Sequence, residues 1–298
     1  MLIPLPDLLS DAISGTYAVG YFEAWDSYSL EAVVQAAEEE RSPVILGFGC
    51  MMTDPDWMIE VGIDAFGRLG RVAAEYGTCP TALILNESKS LDQALRGLDA
   101  GFTVAMLDTS KWGQDDAERA VADLVSTAHA RGVAVEAEVG SLPDATGDGI
   151  DTTHAALTHP DDAARFADET GVDCLAVSIG NVHLLTQGLA SVDLDRLRRI
   201  HDRVGVPLVI HGGTGFPPEM VSDAISLGVA KFNVGTVLKS EFLIGVQEAL
   251  HKPMNELDVH TVLGSHREGD AMLAGKERMM NKVREFMQLY ESSGKAST

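Results

Sequence analysis

Positive charge is scarce in this 298-residue chain: 22 Lys and Arg stand against 45 Asp and Glu, a formal net charge of −23 at pH 7. Such a surplus repels nucleic-acid phosphates and anionic lipid headgroups, and no basic patch interrupts it, which argues against either as a partner. Cysteine is scarcer still. Cys50, Cys79 and Cys174 lie far apart, lack CxxC spacing and leave an odd count, a pattern of reduced, buried thiols in a cytoplasm rather than of a disulfide framework. The N-terminal "MLIPLPDLLSDAISG" has no basic n-region, and no apolar run approaches the roughly 18 residues that a membrane span needs. The expectation is a soluble, cytoplasmic protein acting on a small molecule.

Linkers are missing too. No Pro/Ser-rich or low-complexity stretch precedes the short tail "ESSGKAST", so residues 1–298 read as a single domain. What the chain does have is alternation. Apolar, β-branched runs recur at 17–22, 43–48, 81–85, 103–108, 133–139, 174–179, 206–211 and 230–234, eight in all. Helical patterns lie between them. Leu30, Val33, Val34 and Ala37 fall at i, i+3, i+4 and i+7, and "DDAERAVADLVSTAHARG" closes on Gly132. This predicts an α/β fold, a (β/α)8 TIM barrel, with an extra C-terminal helix, "AMLAGKERMMNKVREFMQLY", after the eighth unit. A doubly wound open sheet is the alternative, but no GxGxxG follows the first strand.

In such barrels the chemistry sits where strands end, so polar residues that terminate apolar runs carry the most weight. They are Glu23, Asn86 and Glu87, Asp108, Glu136 and Glu138, the "GNVH" ending at His183, "HGGTG" from His211, and "NVGT" from Asn233 to Thr236. Glu136 and Glu138 alternate along one strand and so point to one side, where carboxylates need partners. A structural network with a lysine or histidine and a role in proton transfer are both open for that pair. Asp108 suits a loop-orienting role.

At these residues the sequence resembles the class II, metal-dependent fructose-bisphosphate and tagatose-bisphosphate aldolases. "YAVGYFEAWDSYSLEAVVQAAEEERSPVIL" resembles the family's opening "yAvgaFNv…AAee…SPvIl", and "GFTVAMLDTS" is similar to "GFtSVMiDgS". "VEAEVG", "DETGVDCLAVSIGNVH", "PLVIHGGTG", "KFNVGT" and "SSGKA" follow in the family's order. The resemblance implies a carbon–carbon lyase of the aldolase type with a divalent cation, zinc or manganese. It implies a phosphorylated small-molecule substrate and a homodimeric or homotetrameric assembly. Two of the family's three histidine ligands map onto His183 and His211. The motif "HLDHG" falls on Ile84, Leu85, Asn86, Glu87 and Ser88, so the catalytic aspartate becomes Asn86 and the third histidine becomes Glu87. Two imidazoles and a carboxylate make a known divalent-metal set, which gives Glu87 a ligand reading beside that of a decayed site.

Asparagine cannot accept a proton, so the family's aspartate step cannot run unchanged. Asn86 then becomes a hydrogen-bond donor to substrate, and proton transfer passes to Glu138 or to a loop acid, Asp144 or Asp148. The phosphate cradle of the family falls on Gly212, Gly213, Thr214, Asn233 and Thr236, where glycine amides and hydroxyls can approach an anion. Departures gather around it. The family's opening asparagine is Glu23, its serine after the second strand is Gly49, the aspartate of "NiDT" is Gly235, and "LLTQ" follows His183 in place of a glycine and a lysine. These changes point away from fructose 1,6-bisphosphate. They also leave open a non-catalytic homologue that binds a sugar phosphate or supports a partner enzyme.

Overall fold

The computed structural model describes residues 1–146, 149–153, 155–251 and 253–296. Ten strands occur among them: β1 (Val19–Glu23), β2 (Val44–Gly49), β3 (Thr81–Ser88), β4 (Val104–Leu107), β5 (Ala134–Val139), β6 (Asp144–Thr146), β7 (Gly149–Asp151), β8 (Cys174–Val177), β9 (Leu208–Ile210) and β10 (Val229–Val234). Eight of them pair in parallel and close in the order β1-β10-β9-β8-β5-β4-β3-β2. Helices connect them, so the chain is a (β/α)8 barrel, and each expected apolar run supplies one strand.

The alternation of side chains along each strand divides the core in two. Outward residues, among them Phe22, Leu46, Phe48, Leu83, Val135 and Phe232, pack against the surrounding helices. Inward residues, including Ile45, Ala82, Ile84, Val104, Ala134 and Val209, fill the barrel. The same inner cluster contains Leu5, Leu8, Leu9 and Ala12 of helix Leu5–Gly15, whose i, i+3, i+4, i+7 spacing makes one apolar stripe. That helix starts with proline in its first turn and closes on Thr16 in the left-handed region. This helix lies in the segment that the sequence marks only by its lack of a basic n-region.

The C-terminal helix Ala271–Leu289 matches its expected bounds closely and packs on helices Ser27–Glu40 and Thr236–Ala249. Its N-cap is Asp270, which accepts hydrogen bonds from the Met272 and Leu273 amides and from Tyr28 Oη at 3.1 Å. The helix expected to close on Gly132 runs over Gln114–His129, and Gly132 (φ 70°) follows in the turn beyond it. The "PDATGDG" stretch, read as loop, contributes β6, which pairs with β7 in an antiparallel hairpin. Asp148 lies outside the described residues. Cys50, Cys79 and Cys174 are all buried and free.

Candidate active site and metal centre

The Asn86–Glu87 pair sits on an irregular piece of backbone. The β3–β4 register shifts between Leu85 and Ser88, and Glu87 takes φ 56°, a left-handed conformation that a non-glycine residue rarely adopts. Strain of this kind is kept where it aims a side chain, and here it turns Glu87 toward two histidines. Glu87 Oε1 lies 3.7 Å from His183 Nε2 and 3.5 Å from His211 Nδ1. Ligand atoms of Glu87, His183 and His211 all fall within 4.8 Å of one another, the one such metal-competent cluster among the described residues.

Two loops bring the histidines together. Asn181 accepts from the Ile179 amide and donates to the His211 carbonyl at 2.9 Å, tying the segment after β8 to the end of β9. Gly212 (φ 68°) lets the second loop approach the first, because a Cβ there would lie 2.2 Å from the Val182 carbonyl oxygen. The outer nitrogens are also engaged. His211 Nε2 is 2.9 Å from Glu136 Oε1, and His183 Nδ1 is 3.5 Å from Asp144 Oδ1. His183 Nε2 and His211 Nδ1 are buried without a hydrogen-bond partner, and both face Glu87. Carboxylates behind the rings and bare nitrogens in front are what a cation bound by imidazoles requires, so these residues fit a divalent metal.

The paired glutamates of β5 meet different surroundings. Glu136 is fully buried and bonds Lys231 Nζ, 2.7 Å away, as well as His211. Burial alone would raise its carboxyl, but the Lys231 charge and His211 hold it down at about 2. Glu138 points to the cluster, with Oε2 3.3 Å from His211 Nδ1 and without a hydrogen bond. Burial pushes its carboxyl above the ordinary range against the pull of the two imidazoles, and Glu87 and Asp108 add to the rise. Burial works against Glu87 as well, yet His211 and His183 hold its carboxyl below the usual value. His211 itself is lifted to about 10, because the Glu136 and Glu87 carboxylates outweigh its burial. Two neighbouring carboxyls of opposite tendency are the usual division between a fixed anion and a proton carrier.

A cavity of about 530 Å³ opens above the cluster, walled by Asn86, Glu87, His183 and His211 and by Tyr21 and Glu23. Gly212, Thr214, Asn233 and Thr236 also reach it. Gly213 is turned away, packed so that a Cβ would meet the Asn233 carbonyl oxygen at 2.8 Å and Tyr290 Oη at 3.1 Å. A second chamber of about 240 Å³ contains Glu138, Asp108, Asp144, Lys89 and Lys111, and Glu87 and His183 line both. Asp108 bonds Lys89 at 2.9 Å and the amide and hydroxyl of Ser110, which fits the loop-orienting role expected of it. Sequence reasoning missed Lys231 and Lys239. Lys231 is fully buried inside "AKFNV", and a lysine within an apolar strand was a readable signal of a buried carboxylate partner.

A closed (β/α)8 barrel with a partly buried cavity that holds carboxylates and imidazoles at the C-terminal strand ends is the architecture of a barrel enzyme. The sequence profile of class II fructose-bisphosphate aldolases matches residues 4–295. The chain is 35% identical over 302 residues to the fructose-bisphosphate aldolase of Geobacillus stearothermophilus, with 99% of each covered. It is 32% identical over 295 residues to the sulfofructosephosphate aldolase of Alkalicoccus urumqiensis, covering 98% of this chain and 97% of that one. Among solved structures, the YdjI aldolase from Escherichia coli K12 aligns over the whole of both chains with a TM-score of 0.82 at 28% identity. The chain belongs to the class II fructose-bisphosphate aldolase family and is a class II aldolase-like lyase.

Proposed function

We propose that the protein is a metal-dependent carbon–carbon lyase whose substrate is a ketose phosphate or related hydroxy-keto compound other than fructose 1,6-bisphosphate. The observation that carries this reading is the convergence of Glu87, His183 Nε2 and His211 Nδ1, with both nitrogens bare and backed by carboxylates. These three residues would hold the divalent cation, zinc or alternatively manganese. Such a cation supplies Lewis-acid stabilisation of the charge that develops as a bond next to a carbonyl breaks.

The chain's own groups do the rest. Glu136 and Asp144 orient the two imidazoles through their outer nitrogens. Glu138, buried beside the cluster with a raised carboxyl, is the proton carrier that takes over from the family's aspartate. Asn86 is 4% exposed and lines the cavity, where it serves as hydrogen-bond donor to the substrate. Gly212, Thr214, Asn233 and Thr236 contribute substrate contacts. The same reading includes a cytoplasmic homodimer or homotetramer, and light scattering on the purified protein checks the assembly.

Elemental analysis tests the metal directly. Protein purified without chelator is expected to carry stoichiometric zinc or manganese, and His211→Ala to carry none. Fructose 1,6-bisphosphate should turn over at least about 10²-fold more slowly than the native compound, because Asn86 cannot act as the base that the family's aspartate provides for it. Metal-free protein that neither binds zinc or manganese nor cleaves any ketose phosphate or free ketose would leave the alternative, a non-catalytic homologue that binds a sugar phosphate or supports a partner enzyme.

A further inference from the structure

Glu23 ends β1 inside the larger cavity, and the surrounding residues are arranged to receive its carboxylate. Oε1 accepts a hydrogen bond from Lys239 Nζ at 2.7 Å. Oε2 occupies space that a side chain at Gly235 would fill, since a Cβ there would lie 2.3 Å away. A Cβ at Gly49 would come within 3.0 Å of Oε1. The positions aligned with the family's asparagine, serine and aspartate are therefore one contact cluster here, although 212 residues separate its outer members, Glu23 and Gly235.

Gly235 is also the N-cap of helix Thr236–Ala249 and provides no side-chain cap. The free amides of a helix start favour an anion, and the chain brings its own, the Glu23 carboxylate against Gly235. Two further polar atoms face the same cavity unpaired. Tyr21 Oη and Asn233 Nδ2 belong to residues only 3% and 8% exposed, and neither has a hydrogen-bond partner. The Asn233 amide is oriented by chemistry: Lys231 donates to Asn233 Oδ1, and an ammonium can only donate, so Nδ2 is the atom left free.

This wall offers a carboxylate acceptor at Glu23, donors at Lys239 and Asn233, and a hydroxyl at Tyr21. A carbon chain bearing hydroxyl groups satisfies all of them, because each hydroxyl both donates and accepts. The dianion of a phosphate ester has no proton for Glu23, and the negative charge of an ester or of inorganic phosphate is repelled by it. We propose that Glu23, held by Lys239 and by the absence of side chains at Gly49 and Gly235, is a specificity-determining residue. It makes this end of the cavity take a neutral, hydroxylated end of the substrate and reject a phosphorylated one. Any phosphoryl group then belongs at the other end of the compound. That this ligand is a substrate rests on the lyase reading; the exclusion of phosphate does not.

Calorimetric titration of the full-length, metal-free protein with inorganic phosphate tests the exclusion. The native protein is expected to bind phosphate at most at the other end of the cavity, with an affinity that Lys239→Met alone leaves unchanged. Glu23→Gln should bind at least about tenfold more tightly, as Lys239 and the helix start become available to the anion. Adding Lys239→Met to that variant should remove the gain. Gly235→Ala, whose methyl displaces the carboxylate without altering it, should reproduce part of the gain and serves if Glu23→Gln does not fold. Native protein that binds phosphate as tightly as Glu23→Gln, or folded variants that gain nothing, would overturn the proposal. Because the titration uses neither metal nor turnover, a failed metal analysis would sink the lyase reading and leave this result standing.

Discussion

The two ends of the barrel interior are built from the same strands and obey different physics. Toward the N-terminal end, Ile45, Ala82, Val104, Ala134 and Val209 meet Leu5, Leu8 and Leu9 of the first helix in a wholly apolar cluster. Two residues further along β5, and one pleat beyond Val209 just past the end of β9, the inward side chains are Glu136 and His211. At the first end, removing apolar surface from water stabilises by about 25 cal/mol per Å². At the second, each buried charge costs free energy unless another group matches it, and Lys231, Glu136 and His211 match one another. A single strand thus passes from stabilising the fold to positioning charged groups within one pleat period.

If the two ends are separable, damage to one should spare what the other does. The largest effect should come from Glu138→Gln, which is expected to lower turnover about 10²- to 10⁴-fold while leaving the unfolding free energy nearly unchanged, since burial of the Glu138 carboxylate offsets its 3.3 Å contact with His211. Steady-state kinetics with urea unfolding reads both quantities. Lys231→Met strands Glu136 in the interior and should reduce stability by about 3 to 5 kcal/mol. Leu9→Ala, at the sealed end, should cost about 3 kcal/mol through its cavity and leave kcat intact. Equal kcat losses in Leu9→Ala and Lys231→Met would show that the ends act as one unit.

The smallest effect lies outside the barrel. Asp270 caps the C-terminal helix, and although burial opposes its ionisation, hydrogen bonds from the His266, Met272 and Leu273 amides and from Tyr28 hold its carboxyl below the ordinary range. Asp270→Ala should cost about 1 kcal/mol at neutral pH. A depressed folded-state pKa stabilises above the unfolded value near about 4 and loses that contribution as pH falls through the folded value. The gap between native protein and Asp270→Ala should therefore close below about pH 4, as urea midpoints across pH would reveal. A gap that persists in acid would mean that Asp270 acts by packing rather than as an anion.

Much of the barrel was legible because its strands are buried on both faces, which writes each one as a continuous apolar run bounded by helical patterns. His211, Asn86 and Glu87 stand out because they directly follow apolar runs, and His183 because it closes the "GNVH" that follows the sixth run. The first helix was not read, since its four-residue apolar stripe resembles any short hydrophobic segment until the barrel gives it a floor to seal. Glu136 and Glu138 share one side as their alternation implies, but their periodicity is identical and cannot separate the carboxylate that meets Lys231 from the one that faces the histidines.

What the sequence alone determined is the strand-and-helix alternation, the closing C-terminal helix and the set of polar residues at strand ends, all of which depend on neighbours within a turn or a pleat. The tertiary structure decided which of those residues meet. Glu87 faces the histidines through a bulge and a left-handed φ, Lys231 reaches Glu136 across the barrel, and Glu23 pairs with Lys239 over a separation of 216 residues. Such pairings depend on closure of the sheet, which brings β1 beside β10 and fixes the stagger between them, and no local pattern carries that information.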